Sequence, residues 1–424
     1  MNFSKNVTLT LISNAIYVVL GLTFSILVAR NFGPEGKGIV SLMSVISTTT
    51  LQFANLGLAG ALTYFVARRM GEAKNFAASS IVFGLLWGSF VAFLIYLIHL
   101  SHPILFGAIP DKFVYIALIS IPIILIGNFL NNILLGQEKI FAFNLVQVIG
   151  QLILVALGVV LIFGAKADIF PISLVSMIIV PIVVILGYAF FIFKDAGNVK
   201  VNMSLLKEPL RYGRRFFVAL LLSFLILKSD TLLVNFFLNI REVGFYSIAS
   251  GFADYLSLAP ILIGTILFPR AIKLGKEAIG LVGRVSRVTF LLMIILSLSA
   301  VALAQPIIVL LYGRNFTPAV APFLFLVPGM FFWSLSIIYN NYFASQNLLN
   351  VPIISGSIGF VVNLSLNIIY IPRFGIDAAA ISSSLAYFIV FMINNLYLIR
   401  MTNLKSRELL VLKREDIKAL LGAF

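Results

Sequence analysis

The sequence predicts an all-α integral membrane protein: about 12 transmembrane helices in two six-helix bundles, related by a pseudo-two-fold axis along the membrane normal. Three observations carry this. Hydrophobic residues make up 61% of the 424 and charged residues only 11%, too few to coat a soluble protein. The apolar residues come in runs of about 20 or more, the length that crosses a bilayer core. The second half of the chain also repeats the first.

Six apolar segments precede a polar, basic stretch: Val7–Ala29, Gly38–Ala67, Ala77–Ile98, Phe113–Leu135, Phe141–Phe163 and Ile169–Phe193. Six follow it: Phe216–Leu238, Gly244–Phe268, Val288–Leu311, Ala319–Phe343, Val351–Ile371 and Ala378–Ile399. The first is read as an uncleaved helix, because no small-residue cleavage site follows it. The Gly33–Gly38 turn parts the first two segments. Arg68, Arg69 and Lys74 part the next two, and His99, His102 and Pro103 end the third. The two histidines read as a solvated loop pair rather than a metal site. Lys139 and Lys166 mark the following loops. Pro122, Pro181, Pro260 and Pro328 fall inside segments, where neighbouring helices satisfy the freed backbone groups.

The net charge of +15 reads as membrane topology, not nucleic-acid binding. One set of loops holds Lys5, Arg68, Arg69, Lys74, Lys139, most cations from Lys194 to Arg287, and the cluster from Arg400 to Lys418. The opposite set holds only Arg30, Lys37, Lys112, Lys166, Arg241, Arg314 and Arg373. Basic loops stay cytoplasmic, so the expectation is a multi-pass inner-membrane protein with both termini inside. An even helix count agrees.

Asn131, Asn132 and Gln137 recur as Asn340, Asn341 and Gln346, a shift of 209 that also maps Gly150 onto Gly359 and Asp168 onto Asp377. Gly38 and Ser41 match Gly244 and Ser247 at a shift of 206. The expected domains are residues 1–200, residues 201–402 and a tail, 403–424. Six helices per half make the repeats parallel, with a cavity expected between them near the midplane. Lys194 to Arg215 joins the halves. The tail alternates Leu/Ile with Lys/Arg and reads either as an amphipathic helix on the lipid surface or as a solvated positive-inside tail.

Cysteine is absent, which excludes disulfides, thiolate metal sites and cysteine nucleophiles. The loops are too short for an extracytoplasmic catalytic domain, so no enzyme and no cofactor is expected. Gly33-Pro34-Glu35-Gly36-Lys37-Gly38 lacks the spacer and final Ser/Thr of a phosphate-binding loop and reads as a helix–helix turn.

Three ionisable residues lie inside the membrane segments: Lys228, Asp230 and Asp254. Each costs on the order of 3 kcal/mol to place there, so such residues face a cavity or pair with each other. Lys228 is 13 residues after Arg215, and Asp254 is 16 residues before Arg270. Those counts put both about 20–24 Å from the same side on consecutive antiparallel helices. At that depth they could form an intramembrane ion pair, serving either transport or structure alone. Lys228 shares its face with Thr231 and Asn235. Asp230 points nearly the opposite way among apolar companions and reads as packed inside its half. The first half carries Leu22, Phe24 and Thr48 at the equivalent positions, so the charge breaks the pseudosymmetry.

Uncharged polar residues form stripes: Asn128, Asn131 and Asn132; Asn144, Gln147 and Gln151; Asn363 and Asn367. Each reads singly as interhelical hydrogen-bonding and collectively as the lining of a polar cavity. Arg30, at the outer end of the first helix, is either a cavity cation or an interface anchor.

Several stretches resemble a known family: Asn14-Ala15-Ile16-Tyr17, the turn Ala29 to Gly38, Arg211-Tyr212-Gly213, Leu227-Lys228-Ser229-Asp230 and Val243-Gly244-Phe245-Tyr246-Ser247. They are similar to the polysaccharide-export branch of the multidrug/oligosaccharidyl-lipid/polysaccharide (MOP) flippase superfamily, the Wzx-type oligosaccharide flippases. The resemblance covers nearly the whole chain. It implies alternating access by two six-helix bundles and flipping of an undecaprenyl-diphosphate-linked oligosaccharide, a polysaccharide or O-antigen repeat unit, to the periplasmic leaflet. Lys228 and Asp230 match positions that are often polar or charged in such proteins. The family's lumen is often richer in cations than three intramembrane charges imply. The expected partners are the lipid-linked oligosaccharide, membrane lipid and polysaccharide assembly proteins, with no nucleic acid and a monomeric chain. The competing readings are a cation-coupled multidrug antiporter of the same superfamily, which should want an acidic cavity without a lysine, and a membrane-embedded glycan polymerase or ligase.

Overall fold

A computed structural model describes residues 3–107, 109–194, 197–402 and 406–410. The described residues are helical almost throughout. In chain order the α-helices are α1 (Phe3–Asn55), α2 (Leu58–Arg68), α3 (Ala73–Ser101), α4 (Asp111–Gly136), α5 (Ile140–Val159), α6 (Ile169–Leu174) and α7 (Val180–Phe193). They continue as α8 (Lys207–Phe237), α9 (Ile240–Leu256), α10 (Leu258–Leu274), α11 (Ala278–Tyr312), α12 (Val320–Ser345), α13 (Asn350–Thr402) and α14 (Ser406–Leu410).

Among the described residues 10 helical stretches are long and apolar enough to cross a membrane, so the chain is a multi-pass membrane protein. The expected segments number more because two of these stretches, Leu9–Asn55 and Asn350–Thr402, hold 47 and 53 residues. At about 1.5 Å per residue each is more than twice a bilayer core of about 30 Å. Each is kinked at one glycine: Gly33 at φ 65°, ψ −168° and Gly375 at φ 66°, ψ −150°. Only glycine visits that backbone region freely. Counted by arms, the two stretches supply four crossings, and the total becomes the 12 expected.

Other boundaries shift for local reasons. The expected second segment breaks at Leu56 and Gly57, both at positive φ. The side chain of Asn55 then accepts the Ala59 N–H at 2.9 Å and restarts the helix as α2. The expected sixth segment is α6, one π turn at Val175–Ile179, and α7. The π turn precedes Pro181, whose missing N–H removes a helical hydrogen bond. The expected eighth segment is divided at Ser257 into α9 and α10. Pro260 lies four residues beyond Leu256, where its ring would meet the carbonyl of an unbroken helix.

The basic connector is more ordered than a linker. Asn75 Oδ1 accepts the Lys200 N–H at 2.9 Å. Ser79 Oγ bonds Asn202 N and O at 2.9 and 3.1 Å. Asn202 Oδ1 then accepts the Ser204 N–H at 3.0 Å, and helix α8 begins at Lys207, so Lys207–Arg215 is the base of a membrane helix. His99, expected in solvent, is buried, with its Nε2 3.2 Å from Asp111 Oδ1. Of the expected tail only Ser406–Leu410 lies within the described residues. It forms α14 against α11, with Leu409 fully buried and Arg287 Nη1 donating to the Glu408 carbonyl at 2.6 Å.

The chain forms two compact units. Unit 1 is Met1–Leu221 with Asn239–Gly244; unit 2 is Leu222–Leu238 with Phe245–Phe424. Helix α8 is shared between them. Each unit has one central helix. The α4 span is 61% buried, and so is the span containing α12, against 11% for those of α3 and α11. In unit 1, Phe129, Leu130 and Ile133 of α4 pack against Leu58 and Leu62 of α2 and Phe76 of α3. In unit 2, Leu335, Tyr339 and Phe343 of α12 pack against Leu267 of α10, Val282 of α11 and Phe391 of α13. The opposite faces carry exposed Leu86, Leu298 and Leu310, the surface a bilayer covers.

Candidate functional site

Lys228, Asp230 and Asp254 all lie in unit 2. α8 runs without a break past Lys228, Ser229 and Asp230, and two helical residues are separated by about 200°. The same turn carries a cation that reaches α9 and a carboxylate that reaches both α9 and α13. Lys228 Nζ donates to Asp254 Oδ2 on α9 at 2.6 Å. The two side chains are 29% and 39% exposed, so this pair is not sealed in the core. The depth count from Arg215 and Arg270 anticipated this meeting.

Asp230 is the opposite case. It is 1% exposed and its carboxylate is enclosed by donors. It accepts from the Tyr246 hydroxyl of α9, from Ser383 Oγ of α13 at 3.0 Å, and from the Thr231 N–H at 2.8 Å. Ser383 in turn accepts from Asn363 Nδ2 at 3.1 Å. Asn363 Oδ1 accepts from Asn367 Nδ2 at 3.1 Å and, weakly, from Ser229 Oγ at 3.5 Å. The kink at Gly375 makes this possible, since it returns the chain so that Ser383 meets Asn363. Donors aimed at a buried carboxylate are what make such burial tolerable. Asn363 and Asn367 are fully buried in unit 2, and Asn235 is buried as well.

The remaining expected site residues lie in unit 1. Thr63 Oγ1 donates to the carbonyl of Asn132 at 2.9 Å and is 3.1 Å from its Oδ1. Asn132 Nδ2 donates back to the Asn128 carbonyl at 2.8 Å. Asn144 donates to Thr10 Oγ1 at 3.1 Å and to the Ile140 carbonyl at 3.0 Å. Gln147 lies on α5, and Gln151 Nε2 packs over Gly21. Asn131 is half-buried, and its Oδ1 has no partner among the described residues. Arg30 is exposed near the Gly33 kink.

Tyr246 and Ser383 were not among the expected site residues. Each had a signal: Tyr246 lies within the Val243–Ser247 stretch, and Ser383 is the middle of three consecutive serines in an apolar helix. Among the described residues no group of three or more His, Cys, Asp or Glu side chains is placed to hold a metal.

Known proteins share this architecture. The lipid II flippase MurJ in an inward closed conformation superposes with a TM-score of 0.76 at 17% identity, over 95% of this chain and 89% of that one. An inward-facing multidrug resistance MATE family transporter of the MOP superfamily gives a TM-score of 0.72 at 15% identity, over 93% and 98%. At these identities the likeness is one of fold. In sequence, a Shigella flexneri protein named "Putative O-antigen transporter" is 22% identical over 91% of this chain and 95% of its own length. An uncharacterized membrane protein of Methanocaldococcus jannaschii is 26% identical over 51% of this chain, a match spanning 45% of that protein. The signature of the family described as "Polysaccharide biosynthesis protein" matches residues 3–275, which include Lys228, Asp230, Tyr246 and Asp254. The chain has the fold of the MOP transporters and belongs to the polysaccharide biosynthesis protein family.

Proposed function

We propose that the protein is a flippase for an undecaprenyl-diphosphate-linked oligosaccharide, a polysaccharide or O-antigen repeat unit. It moves this lipid from the cytoplasmic to the periplasmic leaflet of the inner membrane by alternating access, with residues 1–200 and 201–402 as its two functional halves. The observation that carries this reading is the half-exposed Lys228–Asp254 pair within a polysaccharide-biosynthesis sequence. Lys228 offers the arriving diphosphate, or an acidic sugar, a cation already held at depth, and Asp254 compensates that cation between turnovers. The polar amides of Asn131, Asn132, Gln147 and Gln151 suit sugar hydroxyls, while the lipid tail stays in the bilayer. A proton or ion gradient acting through Asp254 or Asp230 resets the cycle.

Replacing Lys228 with Ala abolishes glycan export on this reading, while the variant still inserts in the membrane. Export at the wild-type level would remove Lys228 from the mechanism. The fold likeness to the multidrug transporter favours one alternative, a cation-coupled drug antiporter. That reading requires drug resistance that depends on Asp254. We expect none, so Asp254→Asn leaves the susceptibility of a tester strain unchanged. Resistance conferred by the wild-type chain and destroyed by Asp254→Asn would favour the antiporter.

A further inference from the structure

A second charged site lies in unit 1. At the basic end of the unit, the last turns of α2 lie beside the first turns of α8. A Cβ on Gly213 would collide with the carbonyl of Gly57, and one on Gly57 with that of Gly213. The backbones touch there because neither residue has a side chain. This close approach lets Tyr212 stack on Tyr64, with ring centroids 5.0 Å apart and planes at 6°. Phe65 meets Tyr212 edge-on at 5.9 Å. Beside these rings is a cavity of about 600 Å³ lined by Phe65, Arg68, Arg69, Glu208, Arg211 and Tyr212.

The cavity holds three guanidinium groups and one carboxylate. Glu208 engages Arg69 at 2.7 Å. Arg68 lies over the Tyr64 ring, 5.4 Å from its centroid, and donates to the Tyr64 hydroxyl. Arg211 is exposed on the first turns of α8. Other cations of the basic loops, such as Arg270 and Lys273, are exposed on α10. Here the cations are all arginines, two of them oriented by rings. Arginine's planar fork fits phosphate oxygens with paired hydrogen bonds. Tyrosine and arginine together at a membrane-facing helix end match headgroup depth, where basic clusters attract anionic lipid. The volume falls within the range of small-ligand sites and leaves room beyond a single phosphate.

We propose that this cavity binds the phosphate-bearing headgroup of a membrane lipid, the chemistry shared by anionic phospholipids and lipid-linked diphosphates. Arg68 and Arg211 grip the phosphate oxygens. Glu208 competes for Arg69 and keeps the affinity moderate. The aromatic wall takes the neighbouring apolar part of the lipid. The site goes beyond the flipping step and is defined without it, because its residues belong to unit 1 whereas Lys228 and Asp254 belong to unit 2.

The test uses the full chain in phosphatidylcholine nanodiscs, with empty nanodiscs as background. Binding of farnesyl diphosphate and of inorganic pyrophosphate is measured for wild type, Arg68→Gln/Arg211→Gln, Glu208→Gln and Lys273→Gln. The expected result is farnesyl diphosphate binding at least about tenfold tighter than pyrophosphate and weakening at least about tenfold in the double variant. Lys273→Gln should stay within about twofold, which separates the site from the general positive charge. Glu208→Gln should bind severalfold tighter, a gain that misfolding cannot produce. Doping the discs with phosphatidylglycerol identifies the source: competition assigns the site to phospholipid, and lack of competition to the diphosphate lipid. Undiminished binding in the double variant would overturn the site. Equal affinity for pyrophosphate and farnesyl diphosphate would overturn its lipid character. Lys228→Ala should retain this binding whether or not it exports glycan, so failure here and failure of the flippase reading are seen separately.

Discussion

Asp230 is closed in the core while the Lys228–Asp254 pair is partly exposed, so substitutions at the two places should differ in cost. Asp230 is buried with three donors aimed at it. Asp230→Ala removes the acceptor of the Tyr246 and Ser383 hydroxyls in a closed core. The expected loss is roughly 2–4 kcal/mol of stability, with Asp230→Asn losing less because its amide still accepts a hydrogen bond. Lys228 and Asp254 are partly exposed, and Lys228→Ala should change stability by about 1 kcal/mol or less. Denaturant unfolding of the purified variants checks both, and a large loss in Lys228→Ala would make that pair structural rather than functional. The Lys228–Asp254 contact was legible in the sequence because depth along a helix is a matter of counting. The Asp230 cluster was not, since Ser383 is 153 positions away and no count along one helix reaches it.

At the scale of the element, the spans were legible wherever a charged or polar loop interrupts an apolar run. They were blurred where the chain turns within apolar sequence. Ser257 and the π turn before Pro181 carry no charge to mark them, and their cause is a proline a few residues downstream. Gly33 opens a stretch marked by Pro34, Gly36 and Gly38, whereas Gly375 stands alone between Phe374 and Ile376, although both hold the same positive-φ kink. This predicts matching sensitivity. Gly33→Val and Gly375→Val should each cost roughly 1–3 kcal/mol in backbone strain. The Gly375 change should cost more, because the return of the chain that joins Asn363 to Ser383 depends on it. Gly280→Ala is the control: it is helical, has open space at Cβ, and should be neutral or stabilising by up to about 1 kcal/mol. Denaturant unfolding of the three variants distinguishes kink strain from a general intolerance of side chains at glycine.

For the whole molecule, the charge asymmetry makes a claim about direction that the fold alone does not contain. Basic loops concentrated on one side predict that both termini and the arginine-lined cavity face the cytoplasm. The complete absence of cysteine gives a direct test, because a single introduced thiol reports without background. Asn198, Lys273, Lys112 and Arg373 are all exposed, the first two in the basic set of loops and the last two in the opposite set. Replacing Lys112 or Arg373 with Cys removes a cation from the sparse side and strengthens the asymmetry, so topology should hold. Asn198→Cys removes no charge. In spheroplasts a membrane-impermeant maleimide should label the Lys112→Cys and Arg373→Cys variants at once. The Asn198→Cys and Lys273→Cys variants should be labelled only after the membrane is opened. The reverse pattern would place the Lys228–Asp254 pair about 20 Å from the periplasmic side instead and would invert the proposed direction of flipping. Labelling of one pair member but not the other would mean that a span is miscounted, and the two kinked helices are where that error would lie.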